Sequence, residues 1–536
     1  MNVSSSIVPT PVVLVVLDGF GISAAERGNA VAQARKPALE HIEAHFPFTT
    51  LQASGAAVGL PWGEAGNSEV GHLTMGAGRV IYHHLPRIIV SIRDGSFFEN
   101  PAFAEVIAKV KANASALHLI GLVSSGSVHS YLDHLTALLE LVTRAKIAPL
   151  FLHVITDGKD APPQEGRAFL EKFSEHMRSH APTVTIASII GRSYAMDRDE
   201  RWERIRAAYE LLTTGTGSGF QDPVAYLTQS YARGISDEHV EPGYRMADDG
   251  SALGRIAAGD GIIFFNFRED SMRELVAAFA AEAFAGFPRE RLERLTIATM
   301  TEYDEAFTGV AAAFRPLEIT RPLARVLSEA GKRQLHIAET EKYAHVTYFF
   351  NGGTEKPFPD EDRILVPSLA VPHFDLSPEM RVPEITAKII ERLDQYDFIL
   401  ANFANADMVG HTGNFAAVVL AVEALDQAVG QLMAALLERG GVLVVTGDHG
   451  NAEEKVHPLS GEAITEHTAN PVPFYLIGQA FRRAHPRSLP EIAAAKKETG
   501  GILTDIAPTL LDLMRLPQPT EMTGESLLPL LLGERP

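Results

Sequence analysis

Six short apolar runs, rich in β-branched residues, each stop abruptly at polar residues and lead into a helix-like segment. Val12–Leu17 runs into Asp18-Gly19, 150–155 into Asp157-Gly158-Lys159-Asp160, and 185–190 into Gly191-Arg192. The run 262–267 leads to Arg268, Phe398–Phe403 to Asp407, and Val442–Thr446 to Asp448-His449. Continuous apolar runs that alternate with helices indicate parallel strands buried on both faces. Open α/β sheets bind their ligands at the carboxyl ends of such strands, where these polar residues stand. One aspartate there could be a helix cap. Six strand ends with coherent chemistry point to a site.

A chain of 536 residues exceeds what one hydrophobic core usually holds, so two α/β domains are expected. The mixed polarity of 79–94, with Pro86, and of 310–322, with Phe314-Arg315-Pro316, marks connectors and candidate hinges. One domain is then expected over 1–82 and 317–536, with a second, 83–316, inserted into it. The net charge of −20 disfavours nucleic acid and anionic membranes as partners. An anionic small-molecule substrate must therefore meet a local basic cluster. The absence of cysteine removes disulfides and thiol chemistry and suits a reducing cytoplasm. Residues 1–10 carry no basic residue and no long apolar stretch, so no signal peptide is expected there. The apolar helical pattern 415–437 is interrupted by Glu423 and Asp426. The expectation is a soluble, cytoplasmic monomer.

The run Gly66-Asn67-Ser68-Glu69-Val70-Gly71-His72 places a serine between glycines, with a polar-then-apolar pattern that could open a helix. Free amides at a helix N-terminus favour an anion. A serine hydroxyl is a weak nucleophile that needs a base or a metal ion beside it, and nothing adjacent in sequence supplies either. Candidates lie further along. Asp407-x-x-x-His411, Asp448-His449 and His467 offer carboxylate and imidazole ligands, and Asp18 joins them from the first strand end. Divalent ions such as Mn²⁺ accept this oxygen and nitrogen mixture. Asp407 and His411 would share a helical face, but Gly410 and Gly413 argue for a loop. The ligands suffice for two ions, and a paired centre can activate a hydroxyl and stabilise a phosphoryl group in transfer.

With those residues in view, the chain resembles the cofactor-independent phosphoglycerate mutases of the alkaline phosphatase superfamily. The resemblance is carried by LDG at 17–19, GNSEVGH at 66–72, ADMVGHTG at 406–413, TGDHGN at 446–451 and EHT at 466–468, in that order. It implies an alkaline-phosphatase-like metal domain with a substrate domain inserted, and two divalent ions, most simply Mn²⁺. Ser68 would be the nucleophile that becomes phosphoserine. Asp18, Ser68, Asp448 and His449 would hold one ion; Asp407, His411 and His467 would hold the other. His129, Lys159, Asp160, Arg192, Arg198, Arg268 and Lys342 would bind phosphate and carboxylate. Asp160 is a candidate base, and Lys342 is a candidate catalytic residue. The implied reaction is the glycolytic and gluconeogenic interconversion of 3-phosphoglycerate and 2-phosphoglycerate, independent of bisphosphoglycerate.

Arginine suits such a substrate because its fork pairs bidentately with carboxylate and phosphate. Two positions depart from the family pattern. Lys159 stands where an arginine is usual, and Ser271 where a second arginine usually follows NFR by three residues. Arg273 lies five residues from Arg268, roughly 140° around a helix. It substitutes only if that segment begins as a loop; otherwise another residue does. Taken singly, Arg198 could be a solvated helix-face residue, Lys342 an exposed lysine and His129 a loop residue. The alternative functions are a metal-dependent phosphatase or another phosphomutase on the same core and, from another class, a non-catalytic metal-binding scaffold.

Overall fold

In the computed structural model, residues 10–457 and 459–533 are described, apart from the side chains of 176 and 178–180. The leading stretch discussed above lies outside the described residues, Thr10 excepted. The chain divides into two units, Met1–His83 with Leu317–Pro536, and His84–Pro316.

The first unit is built on an eight-stranded sheet in the order Glu361–Val366, Gln334–Glu339, Phe398–Phe403, Val12–Leu17, Val442–Thr446, Val472–Ile477, Phe48–Gln52, Thr499–Ile502. Val472–Ile477 alone runs antiparallel to its neighbours. The three central strands are in register, Leu17 against Phe403 and Val16 against Thr446. Their chains therefore leave the sheet along one edge, and Asp18, Asp407 and Asp448 all follow that edge within a few residues. Both faces are covered. Val13, Val15 and Leu17 pack with the long helix Phe415–Arg439, while Val12, Leu14 and Val16 pack with Ile506–Leu513. A strand buried on both sides must be apolar at every position, which is why these runs lack alternation.

Phe415–Arg439 is the one described helix long and apolar enough to cross a membrane, and half of its apolar window is buried inside the unit. Its buried Asp426 accepts the backbone N–H groups of Ala38 and Leu39, capping the helix Pro37–His45 from outside.

The second unit has its own eight-stranded sheet, ordered Val310–Phe314, Thr296–Thr301, Gly261–Phe264, Leu117–Leu122, Leu150–Thr156, Val184–Gly191, Gly243–Arg245, Ser218–Phe220. The last two strands oppose the rest. The segments expected to be connectors are partly regular. Residues His84–Asp94 form an amphipathic helix that buries Ile88, with Pro86 tolerated in its first turn, and Val310–Phe314 is an edge strand. The strand expected at 262–267 stops at Phe264 because the Asn266 side-chain oxygen takes over the hydrogen bond to the Leu122 N–H (2.8 Å).

His134, in the helix Leu132–Arg144, is fully buried against Tyr131 and Phe267, and neither ring nitrogen has a partner among the described residues. Burial pushes it down to about 3. Below about pH 6.5 the unfolded chain gains a proton here that the folded unit refuses, so stability falls as pH drops from 6.5 toward 3. Between pH 6.5 and 4.5 this costs about 2 kcal/mol. Urea unfolding of the His134→Leu variant at those two pH values should show that much less acid sensitivity than the parent chain; an equal sensitivity would contradict the assignment.

Candidate functional site

Ser68 is the first residue of the helix Ser68–Ala77, whose N-cap Asn67 accepts the Val70 N–H through its side chain. The hydroxyl is buried and faces the carboxyl edge of the first sheet. It donates to Asp18 Oδ1 at 3.0 Å, lies 3.0 Å from His449 Nε2 and accepts from Lys342 Nζ at 2.7 Å. Lys342 sits in the short turn Thr340–Lys342, just past the strand Gln334–Glu339, and also donates to Asp18 Oδ1 (2.7 Å) and Asp407 Oδ2 (2.6 Å). On the far side, Asp407 Oδ1 meets His411 Nε2 and His467 Nε2, each at 3.1 Å. His411 and His467 are turned inward by the backbone carbonyls of Thr465 (2.7 Å) and Gly66 (2.9 Å).

Asp407 lies on the helix Asn405–Gly410, and His411 continues it one turn later in right-handed helical conformation. The loop expected from Gly410 and Gly413 is therefore wrong at Gly410. A side chain there would strike Asn451, its Cβ falling 2.5 Å from the amide oxygen, so the glycine answers close packing. Gly413, at φ +72°, is the one that ends the helical path.

Three carboxylates, Asp18, Asp407 and Asp448, are buried here with one lysine. Burial would raise Asp18 and Asp407, yet the Lys342 ammonium and neighbouring imidazoles hold both well below the usual carboxylate range. Burial likewise opposes charge on His449, but Asp448, Asp18 and Asp407 push it up to about 10. The hydrogen bond to Asp407 raises His411. Asp448 Oδ2 is buried without a hydrogen-bond partner among the described residues. Its nearest nitrogen, His72 Nδ1 at 3.4 Å, is already engaged with the Ser68 carbonyl at 2.8 Å. An orphaned carboxylate oxygen, a surplus of buried negative charge and an oxygen/nitrogen donor set are what a divalent cation satisfies. The groups Asp407–His411–His467 and Asp18–Asp407–His449 each offer ligand atoms within 4.8 Å of one another.

The second unit gathers another cluster. Arg192 is buried and donates from Nη1 to Asp157 Oδ1 (2.7 Å) and Asp160 Oδ2 (2.5 Å), and from Nη2 to His129 Nε2 (2.8 Å). Burial, then the positive charges of Arg192 and Arg268, push His129 down to about 4, so the ring is neutral. Its Nδ1 then carries the proton and has no acceptor among the described residues. Burial would lift Asp157, but the Asp160 N–H, the Ser124 hydroxyl and Arg192 hold it low. Arg198 and Arg268 flank Asp270 at 2.7 and 3.0 Å, and Arg198 lies in a loop, not on a helix face.

Of the residues singled out from sequence, Asp18, Ser68, Asp407, His411, Asp448, His449 and His467 converge, with Lys342 among them and not with the arginines. His129, Asp160, Arg192, Arg198 and Arg268 lie in the second unit, while Lys159 presents only an exposed side chain beside them. Ser271 is buried and donates to the Arg268 carbonyl (2.8 Å); Arg273 is exposed and donates to the Tyr303 carbonyl (2.9 Å). Sequence reasoning assigned nothing to Asn402, which donates to Asp18 Oδ2 (2.7 Å) and lies 3.1 Å from His72 Nε2. Nor did it weigh Asn451, which donates to Asp407 Oδ1 (2.9 Å) and contacts the buried Lys455. His72, Asn451 and Asp157 were within the quoted motifs; Asn402 carried no signal beyond its place in a strand.

Removing the Arg192 fork strands Asp157 with its charge buried. The Arg192→Met variant should lose about 3 kcal/mol of unfolding free energy in a urea titration; a loss within error of zero would show that the pair is solvent-relaxed.

The chain matches the family model of the Metalloenzyme superfamily over residues 10–518. It is 47% identical over 520 residues to the 2,3-bisphosphoglycerate-independent phosphoglycerate mutase of Moorella thermoacetica, covering 97% of this chain and 98% of that one. It is 48% identical over 524 residues to the enzyme of the same name from Thermomicrobium roseum, with the same coverage. Among solved structures, it resembles the Leishmania mexicana phosphoglycerate mutase determined at low cobalt concentration. That similarity has a TM-score of 0.52 at 29% identity, over 97% of this chain and 98% of that one.

Proposed function

Because the chain belongs to the Metalloenzyme superfamily and, within it, to the 2,3-bisphosphoglycerate-independent phosphoglycerate mutases, we infer that it interconverts 3-phosphoglycerate and 2-phosphoglycerate with a divalent metal. The observation that carries the mechanistic reading is the buried Ser68 hydroxyl, within 3.0 Å of Asp18, His449 and Lys342 at a helix N-terminus.

We propose two ions, Mn²⁺ by ligand type, one on Asp18, Ser68, Asp448 and His449 and the other on Asp407, His411 and His467. When bound, they supply positive charge that favours the Ser68 alkoxide and offsets charge on the phosphoryl group in flight. The protein's own groups do the rest. As its alkoxide, Ser68 Oγ forms a bond to phosphorus as the bond to the glycerate oxygen breaks and that oxygen takes a proton from Asp160, leaving phosphoserine and glycerate. The other glycerate hydroxyl, giving its proton to Asp160, then takes the group back and restores the Ser68 alkoxide. Lys342 donates a hydrogen bond to Oγ, and the amides that open the helix Ser68–Ala77 favour its negative charge. In the second unit, Arg192, Arg198 and Arg268 are suited to carboxylate and phosphate, with Lys159 as a further cation. The unpartnered His129 Nδ1–H is a ready donor to an anionic oxygen. Asp160 is proposed to take and return the glycerate hydroxyl proton. Ser271 has no arginine's function in this scheme, and Arg273 is held by Tyr303. We propose that the enzyme works as a monomer in the cytoplasm; light scattering of the purified chain checks the first point.

The Ser68→Ala variant should lose turnover by at least 10³-fold, on the order expected for a missing nucleophile, while still binding Mn²⁺, more weakly. Retained mutase activity in that variant would contradict the scheme. With the parent chain, 3-phosphoglycerate should yield 2-phosphoglycerate, and stoichiometric release of inorganic phosphate would instead mark a hydrolase.

A further inference from the structure

We propose that Glu453 is a positioning residue of the metal centre, locking the three loops that carry most of its ligands into one register; this rests on the metal assignment above. Glu453 is buried, and both carboxylate oxygens are fully used. Oε2 accepts the backbone N–H groups of Gly21 (3.1 Å) and Asn451 (2.9 Å). Oε1 accepts the Thr468 hydroxyl and the Asn470 side-chain amide (2.9 Å). These donors come from three separate loops, each next to a ligand. Gly21 is three residues past Asp18, Asn451 two past His449, and Thr468 one past His467.

The packing explains two glycines, Gly21 and the Gly450 of the TGDHGN run. A Cβ on Gly21 would sit 2.3 Å from the Glu453 carboxyl carbon, and one on Gly450 would sit 2.4 Å from Oε1 and 2.2 Å from the Thr468 hydroxyl. Both loops have closed onto the carboxylate until no side chain fits between them. Glu453 forms no ion pair among the described residues; those four donors occupy its oxygens, and the buried Lys455 ammonium acts on it only at longer range. A carboxylate is the only side chain that can accept at both ends. Glutamine must aim its NH₂ at one pair of donors. The Thr468 hydroxyl can rotate away from it, whereas the backbone N–H groups cannot. The amide oxygen therefore stays on Gly21 and Asn451; the Thr468 hydroxyl can only accept from the NH₂, Asn470 loses this acceptor, and the charge-assisted tie to the loop carrying His467 is weakened.

Outer partners of metal ligands typically change affinity by ~10- to ~100-fold when lost. Titrating chelator-stripped full-length protein with Mn²⁺ by calorimetry tests this directly. Glu453→Gln should bind at least one ion ~10-fold more weakly or worse, and saturating Mn²⁺ should recover most of kcat with KM for phosphoglycerate unchanged. Glu43→Gln is the matched control. It alters another buried carboxylate of the same unit, bonded to Tyr475 (2.9 Å) and Lys496 (2.7 Å), and should lower the melting temperature while leaving Mn²⁺ affinity unchanged. A folded Glu453→Gln protein with parental Mn²⁺ affinity overturns the proposal. If that variant does not fold, Thr468→Val decides: weakened affinity supports the clamp, and parental affinity refutes it. A parent chain that binds no Mn²⁺ fails earlier and sinks the metal assignment itself.

Discussion

Three carboxylates, buried around the carboxyl edge of one sheet and bridged by Lys342 to Ser68, set the terms for the first unit. Burying like charges together is costly unless opposite charge is supplied at short range. Lys342 spans Asp18 and Asp407 and touches Ser68, and Asp448, with those two aspartates, pushes His449 up to about 10 against its burial. Asp448 still presents an oxygen with no donor. Three buried carboxylates with an oxygen left unpartnered among the described residues, mixed with imidazole nitrogens, are suited to hold divalent ions beside the Ser68 hydroxyl.

The fold makes that crowding affordable. Parallel strands in register deliver Asp18, Asp407 and Asp448 to one edge, and apolar layers on both sheet faces fix the strand ends. Around the carboxylates, the other oxygens have defined partners: Asn402 on Asp18 Oδ2, and the Gly19 and His449 N–H groups on Asp448 Oδ1. These bonds choose which oxygen remains available. Glu453 extends the same logic outward to the loops. In the second unit, Arg192 plays the organising part, drawing Asp157, Asp160 and His129 around one buried guanidinium and leaving a His129 N–H free to donate.

What the sequence disclosed follows from range. The strands Val12–Leu17, Phe398–Phe403 and Val442–Thr446 were legible to the residue, because double-sided burial leaves an uninterrupted apolar signature. The carboxylates and imidazoles gathered at their ends were legible from chemistry and motif order. Gly410 misled, because a glycine required by a neighbour 41 residues away reads like one required by a turn. Val310–Phe314, an alanine-rich edge strand, and the Pro86-bearing helix His84–Asp94 carry weak local signals and read as connectors. Asn402, Lys455 and Glu453 were invisible for a stricter reason. Asn402 bonds to Asp18 across 384 residues, Lys455 reaches the Gly410 carbonyl across 45, and Glu453 bonds to Gly21 across 432; no local pattern encodes such pairings.

Anomalous diffraction from Mn²⁺-loaded crystals tests the central claim most directly. The account predicts two peaks beside Ser68 Oγ, one ligated by Asp18, Asp448 and His449 and the other by Asp407, His411 and His467. A single peak away from Ser68, or density for metal only at surface carboxylates, would contradict it.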